Sequence, residues 1–282
     1  VPSLRTDDGR NLAWREVGTG PPLLLHCGGP GFSSLYFGEL PELAAERTLL
    51  LLDPRGTGDS TRPADASAYE LEDYVADIEA VREQLGLDSI DLLGHSHGGF
   101  VAIVWAATHP DRVGRLVLAS TATRFTDEIR QRRREPIATH HGQPYFEDSI
   151  AALEDQQAGR YASDGELLAL YERAARVLMP LGTDIEPIGQ TLGAAGMNAD
   201  ALRHFNHTIA GGMDLRPHLP RIEAPTLVLT ADHDPFGGPM AEEIAVAVPD
   251  STAAVVAGDH FSFLEPDNRS AWSRAVLEFL AG

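Results

Sequence analysis

Short, nearly unbroken apolar runs alternate along the chain with stretches whose apolar residues recur every three or four positions. The runs are PPLLLHC (21–27), TLLLLD (48–53), SIDLLG (89–94), RLVLAS (115–120), PTLVLTAD (225–232) and STAAVVAG (251–258). Runs of this kind suit strands buried on both faces of a mostly parallel sheet. NLAWREVG (11–18) alternates more cleanly and predicts an earlier, half-exposed strand.

Between the runs lie helical patterns. SAYELEDYVADIEAVREQLGL (67–87) puts Leu71, Tyr74, Val75, Ile78, Val81 and Leu85 on one stripe. Ser67 and Glu70 have capping-box spacing at its start, and Gly86 sits where a helix would stop. GGFVAIVWAATHP (98–110) is apolar nearly all round and ends at a proline, which predicts a short buried helix. DNRSAWSRAVLEFL (267–280) closes the chain with Trp272, Val276 and Phe279 on one face. Strand and helix in alternation predict an α/β sheet with right-handed crossovers.

The rhythm breaks between residues 122 and 220. IAALEDQQAGRY (150–161), ELLALYERAARVLMPLG (166–182) and ADALRHFNHTI (199–209) are helical patterns, with no convincing strand among them. The expected organisation is a core of residues 1–121 and 221–282 with an inserted helical cap at 122–220. RQRRRE (130–135) is expected to be a solvated helix face.

Composition narrows the function classes. The 282 residues carry a formal net charge of -20. Such a chain repels phosphate backbones, so nucleic acid is not an expected partner. The acidity is read as a solubility feature, with a site favouring cationic substrates as the sharper alternative. Cys27 stands alone, so no intrachain disulfide is possible. VPSLRTDDGR at the start has no long apolar segment and predicts neither signal peptide nor spanning helix. A cytoplasmic protein with no membrane partner is expected.

The candidate chemistry centres on Gly94-His95-Ser96-His97-Gly98, a G-x-S-x-G match between a strand pattern and a buried helix pattern. A serine at that corner sits on a tight turn at the C-terminal edge of the sheet. The helix N-terminus points its positive end at the place where an oxyanion would form. A serine hydroxyl needs a base to become nucleophilic. In this architecture the acid and the histidine follow the serine, each past a later strand. Asp232 and Asp234 end one run and His260 follows the next. Ser96, Asp234 and His260 are the expected triad, with Asp232 and then Asp127 as lesser candidates for the acid. HCGGPGFSS (26–34) is a second Gly-rich turn, from which the N–H of Gly29 is expected to join that of His97 as the oxyanion hole. Cys27 is read as a packing residue, and Asp53 and Arg55 as loop ties. His95, His97, His140 and His141 fit no metal-ligand spacing. No phosphate-cradling loop or dinucleotide fingerprint is present. No metal and no cofactor are expected.

With these residues in order, the chain resembles the α/β-hydrolase superfamily over essentially its full length. CGGPG (27–31) is similar to the HGGPG loop of the prolyl aminopeptidase (proline iminopeptidase) family. DPRGTGDS (53–60) is similar to that family's D-x-R-G-x-G-x-S segment, and GDHFSFLE (258–265) to the segment carrying its catalytic histidine. The resemblance implies an eight-stranded, mostly parallel sheet, a cap roofing the active site and no cofactor. It also implies removal of an N-terminal residue, with acidic groups holding the free amine. Cys27 stands where that loop usually has His, His97 where an aromatic residue is usual, and Pro235 where some members carry an amine-binding Glu. Glu147, Glu154, Glu166 and Glu172 are the acidic candidates in the cap.

The leading expectation is therefore a serine hydrolase cleaving an amide or ester of a small molecule or short peptide through an acyl-enzyme, prolyl-aminopeptidase-like. A carboxylesterase or lactonase is the alternative. A non-catalytic binder on the same fold is the remote one.

Overall fold

The computed structural model describes every residue except Ala66 and Gly237, and all described side chains except that of Pro239. Eight strands make one sheet: β1 (Ser3–Arg5), β2 (Asn11–Val17), β3 (Pro22–His26), β4 (Thr48–Leu52), β5 (Ile90–His95), β6 (Val113–Ala119), β7 (Thr226–Ala231) and β8 (Ser251–Val256). Their order is β1-β2-β4-β3-β5-β6-β7-β8. β1 pairs antiparallel with β2, and β2 antiparallel with β4; all other pairs are parallel. The helices are α1 (Pro41–Ala44), α2 (Leu71–Gln84), α3 (His97–Thr108), α4 (Asp127–Arg132), α5 (Glu135–Thr139), α6 (Phe146–Gln157), α7 (Asp164–Leu178), α8 (Glu186–Ala195), α9 (Ala199–His204), α10 (Pro239–Ala247) and α11 (Pro266–Ala281).

Alternation along the central strands divides the core in two. Leu24, Leu50, Leu92, Leu116 and Val228 face one layer with α2, α3 and α10. Leu23, Leu25, Leu49, Leu51, Leu93, Val117 and Leu227 face the other with α11 and cap residues. Both faces of the central strands are thus covered, which is why those strands read as continuous apolar runs.

Four features differ from the sequence pattern. β1 is an extra strand that three residues of ordinary composition could not announce. β8 is the sheet edge and is largely exposed, with Val255 64% accessible. Its threonine and valines satisfy strand propensity rather than two-sided burial. α2 begins later than Ser67 and Glu70 would have it. Its N-cap is Glu70, which exchanges bonds with Asp73 in the capping box, while Gly86 just past the end takes a left-handed φ of 67° as expected. At α11, Leu280 joins Trp272 and Val276 in burial, and Phe279 is only half-buried beneath the Arg115 guanidinium.

Between β6 and β7 the chain forms α4–α9, referred to below as the cap. α8 had no recognisable signal, because Pro187, Gly189 and Gly193 weaken its helical pattern. RQRRRE lies across the end of α4 and the start of α5 and is mostly exposed. Among the described residues no helix is long and apolar enough to cross a membrane.

Candidate active site

Each candidate residue stands just beyond the C-terminal end of a parallel strand, the edge where open α/β sheets bind ligands. Ser96 occupies the single residue between β5 and α3 with φ 54° and ψ −116°. That conformation is costly for a residue with a Cβ. It is braced on both sides: Ser96 N–H donates to Ala119 O at 3.0 Å, and Thr121 Oγ1 donates to Ser96 O at 2.8 Å. The turn also needs the helix to approach β3 closely. A Cβ on Gly98 would fall 2.1 Å from the His26 carbonyl oxygen, so no other residue fits there.

Asp234 and His260 come together from the loops after β7 and β8. His260 Nδ1 lies 3.2 Å from Asp234 Oδ1, which also accepts the Phe236 N–H at 2.9 Å. The Asp234 side chain is fully buried, and that of His260 is 16% exposed. Burial alone would push the Asp234 carboxyl up; the adjacent His260 outweighs it and holds the carboxyl below its ordinary value. The other acids go elsewhere. Asp232 is exposed and binds His233 and the Gly258 N–H. Asp127 is fully exposed at the start of α4 and pairs with Arg130.

The Gly-rich loop after β3 closes on Ser96. A Cβ on Gly28 would lie 3.1 Å from Ser96 Cβ and 2.6 Å from the Tyr36 hydroxyl. Gly28 is therefore the loop residue pressed against the serine, next to Gly29, whose N–H was the expected oxyanion donor. Gly29 follows with φ 122°. His97 is the first residue of α3, where N–H groups have no acceptor within the helix. Its ring turns away into an aromatic pocket of Tyr74, Phe100 and Phe205.

Cys27 is wholly buried and donates from Sγ to Phe32 O at 3.1 Å; burial pushes its thiol far up, so it is no nucleophile. Asp53 ties loops together by accepting the Ser34 and Asp59 N–H groups at 2.8 and 2.9 Å. Arg55 forks onto buried Asp77 with two bonds of 2.8 Å. His140 is spent on Tyr145 and Met179 O. Among the described residues no three His, Cys, Asp or Glu side chains gather as a metal site.

Aromatic rings surround the pair. Phe236 and Phe261 lie 5.3 and 5.2 Å from the His260 ring, centroid to centroid. Phe32 of the Gly-rich loop meets Tyr171 of the cap edge-on at 5.6 Å. The four candidate cap carboxylates, Glu147, Glu154, Glu166 and Glu172, are exposed.

A strained serine turn between strand and helix, with an acid–histidine pair on the same edge of a mostly parallel sheet, fits an α/β-hydrolase fold. The family model for the alpha/beta hydrolase fold matches residues 21–267, and the chain belongs to that family. It also resembles the proline iminopeptidases. That of Lactobacillus delbrueckii subsp. bulgaricus is 44% identical over 105 residues, which cover 36% of this chain and 36% of that protein. The chain thus matches about a third of the length of these relatives. Epoxide hydrolase 4 of Mus musculus is 24% identical over 276 residues, 95% of this chain and 75% of that one. Among solved structures, a hydrolase from Pseudomonas aeruginosa PA01 has a TM-score of 0.70 at 27% identity, covering 100% and 98% of the two chains. An esterase from Rhodococcus sp. ECU1013 has a TM-score of 0.76 at 23% identity, covering 99% and 98%.

Proposed function

We propose that the protein is a serine hydrolase that cleaves a small carbonyl substrate through an acyl-enzyme. The observation that carries this reading is the strained Ser96 turn between β5 and α3, with the Asp234–His260 pair on the same sheet edge. Ser96 attacks the carbonyl carbon as His260 takes its proton. His260 then returns that proton to the leaving group, and Asp234 holds the ring tautomer and stabilises the imidazolium. Developing charge on the carbonyl oxygen is met by the His97 N–H and an N–H of the Gly28–Gly29 segment. One such donor contributes on the order of 3–4 kcal/mol to the transition state. Water activated by His260 resolves the acyl-enzyme, and no step calls for a cofactor.

An ester or lactone with an apolar acyl group is the substrate class best supported. A free ammonium group requires a carboxylate near the scissile bond. The cap candidates Glu147, Glu154, Glu166 and Glu172 are exposed, Asp259 is taken by Glu265, and Glu243 is taken by Arg124 and Thr123. Beside His260 lie the rings of Phe236 and Phe261. Aminopeptidase activity is the second reading, carried by the CGGPG and DPRGTGDS segments and the proline iminopeptidase relatives. We place the enzyme in the cytoplasm, in keeping with a lone, buried thiol.

A comparison of two chromogenic substrates tests this: a short acyl ester and a prolyl anilide with a free amine, each on wild type and Ser96→Ala. Ester turnover lost in Ser96→Ala is the expected result. Anilide turnover abolished by blocking the amine would move the assignment to an aminopeptidase. Turnover unchanged in Ser96→Ala would remove the serine mechanism.

A further inference from the structure

His95, the residue before the nucleophile, is wholly buried, and both of its ring nitrogens are engaged. Nε2 lies 2.9 Å from the main-chain carbonyl oxygen of His260. Nδ1 lies 2.8 Å from the Tyr36 hydroxyl. A carbonyl can only accept, so Nε2 carries the proton and donates it. Nδ1 is then the acceptor and the Tyr36 O–H the donor. Burial, with the nearby His260 adding to it, keeps the His95 ring neutral, and burial also keeps the Tyr36 phenol protonated. The direction of every bond is therefore fixed.

The bonded partners are not incidental. The Tyr36 hydroxyl is the group nearest a Cβ built on Gly28, the loop residue pressed against Ser96. His260 is the proposed base. The imidazole of His95 lies tilted against that of His260 with centroids 4.8 Å apart, and Phe263 meets it edge-on at 4.8 Å. A leucine would fill this space without the cost of desolvating a polar ring, so packing alone does not explain a histidine here.

We propose that His95 is a positioning residue that clamps the backbone of His260 to Tyr36 and, through Tyr36, to the Gly28 loop. It thereby sets the spacing between base, nucleophile and oxyanion donors. The proposal rests on the serine-hydrolase reading above. It gives the x before the serine in this G-x-S-x-G a task that its backbone alone could not perform. Substrate binding needs only the pocket walls. The clamp acts on the geometry of proton transfer, so its loss appears in kcat rather than KM.

The test uses the full chain and the short acyl ester. Glutamine places its amide near the position of ring Nε2 and can still donate to the His260 carbonyl; asparagine places its amide near Nδ1 and cannot. The expected result is a fall in kcat of about 100-fold for His95→Asn with KM within about twofold, the scale set by a misplacement of ~1 Å. His95→Gln should recover most of that loss. Tyr36→Phe preserves the ring and cuts the clamp at its far end, with an expected fall of about tenfold in kcat. It decides the matter should His95→Asn fail to fold. A folded His95→Asn with kcat within twofold of wild type overturns the proposal, as does Tyr36→Phe with unchanged kcat. Equal losses in the Gln and Asn variants also overturn it. Ser96→Ala, run alongside, reports separately on the serine mechanism.

Discussion

Asn198 donates its backbone N–H to the Gly31 carbonyl at 2.9 Å, joining the cap to the Gly-rich loop beside Ser96. Its side-chain amide is bonded at both ends. Nδ2 donates to Gly56 O at 3.0 Å and lies 2.9 Å from the Tyr69 hydroxyl, and Oδ1 accepts the Asp200 and Ala201 N–H groups as the N-cap of α9. One buried residue thus fixes the cap against both glycine-rich loops of the core.

Asn198→Ala should cost about 2–4 kcal/mol, combining a lost cap with an unsatisfied buried carbonyl. Urea unfolding would measure this. Because Asn198 holds the cap against the Gly-rich loop beside Ser96, KM for the acyl ester should also rise severalfold. A loss below 1 kcal/mol with unchanged KM would show that Asn198 is not the fastening point.

Three buried histidines should make the fold acid-sensitive. Burial holds His26 at about 4 and pushes His95 and His97 well below the ordinary imidazole value. The unfolded chain then binds more protons than the folded one. Their contribution to stability is complete above pH ~6.5 and is lost as pH falls through the depressed folded values. His26 alone accounts for about 3 kcal/mol of that loss. Unfolding free energies from pH 7.5 to 4.5 should fall steadily; a flat profile down to pH 5 would contradict the assignment.

Asp259, next to His260, behaves in the opposite sense. Burial foremost, with neighbouring Glu265 adding to it, raises its carboxyl to about 8. Here the folded state holds the proton more tightly. The stability it contributes is full below the ordinary value of 3.8 and lost as pH rises through about 8. Asn in its place can donate to Glu265 as the protonated acid does, without ionising. Asp259→Asn should therefore melt progressively higher than wild type between pH 5 and 9. A gap that stays constant or reverses would refute the shared-proton pairing.

Much of this arrangement was legible in the sequence, and the physical reasons differ by element. β3–β7 announced themselves because strands covered on both faces must be apolar throughout. Ser96 was visible through its glycines, and Asp234 and His260 through their places after later strands. Asp234 was preferred to Asp232 and Asp127 from its place in the loop, and of the three it is the one that turns inward to His260. The links of Tyr36, His95 and Asn198 could not be read, because each joins residues from different elements and leaves no periodic trace. The exposure of the cap glutamates was hidden for a similar reason: α6 and α7 pack on each other, and that packing decides which helix face points outward.

The central claim is that Ser96 carries the acyl group. Rapid acid quenching of the enzyme during turnover of a short acyl nitrophenyl ester, followed by peptide mass spectrometry, tests it most directly. The expected result is the acyl mass on the peptide holding Ser96, absent from Ser96→Ala and accumulating with a burst of nitrophenol. Steady turnover with no adduct at Ser96, or an adduct on another residue, would contradict it.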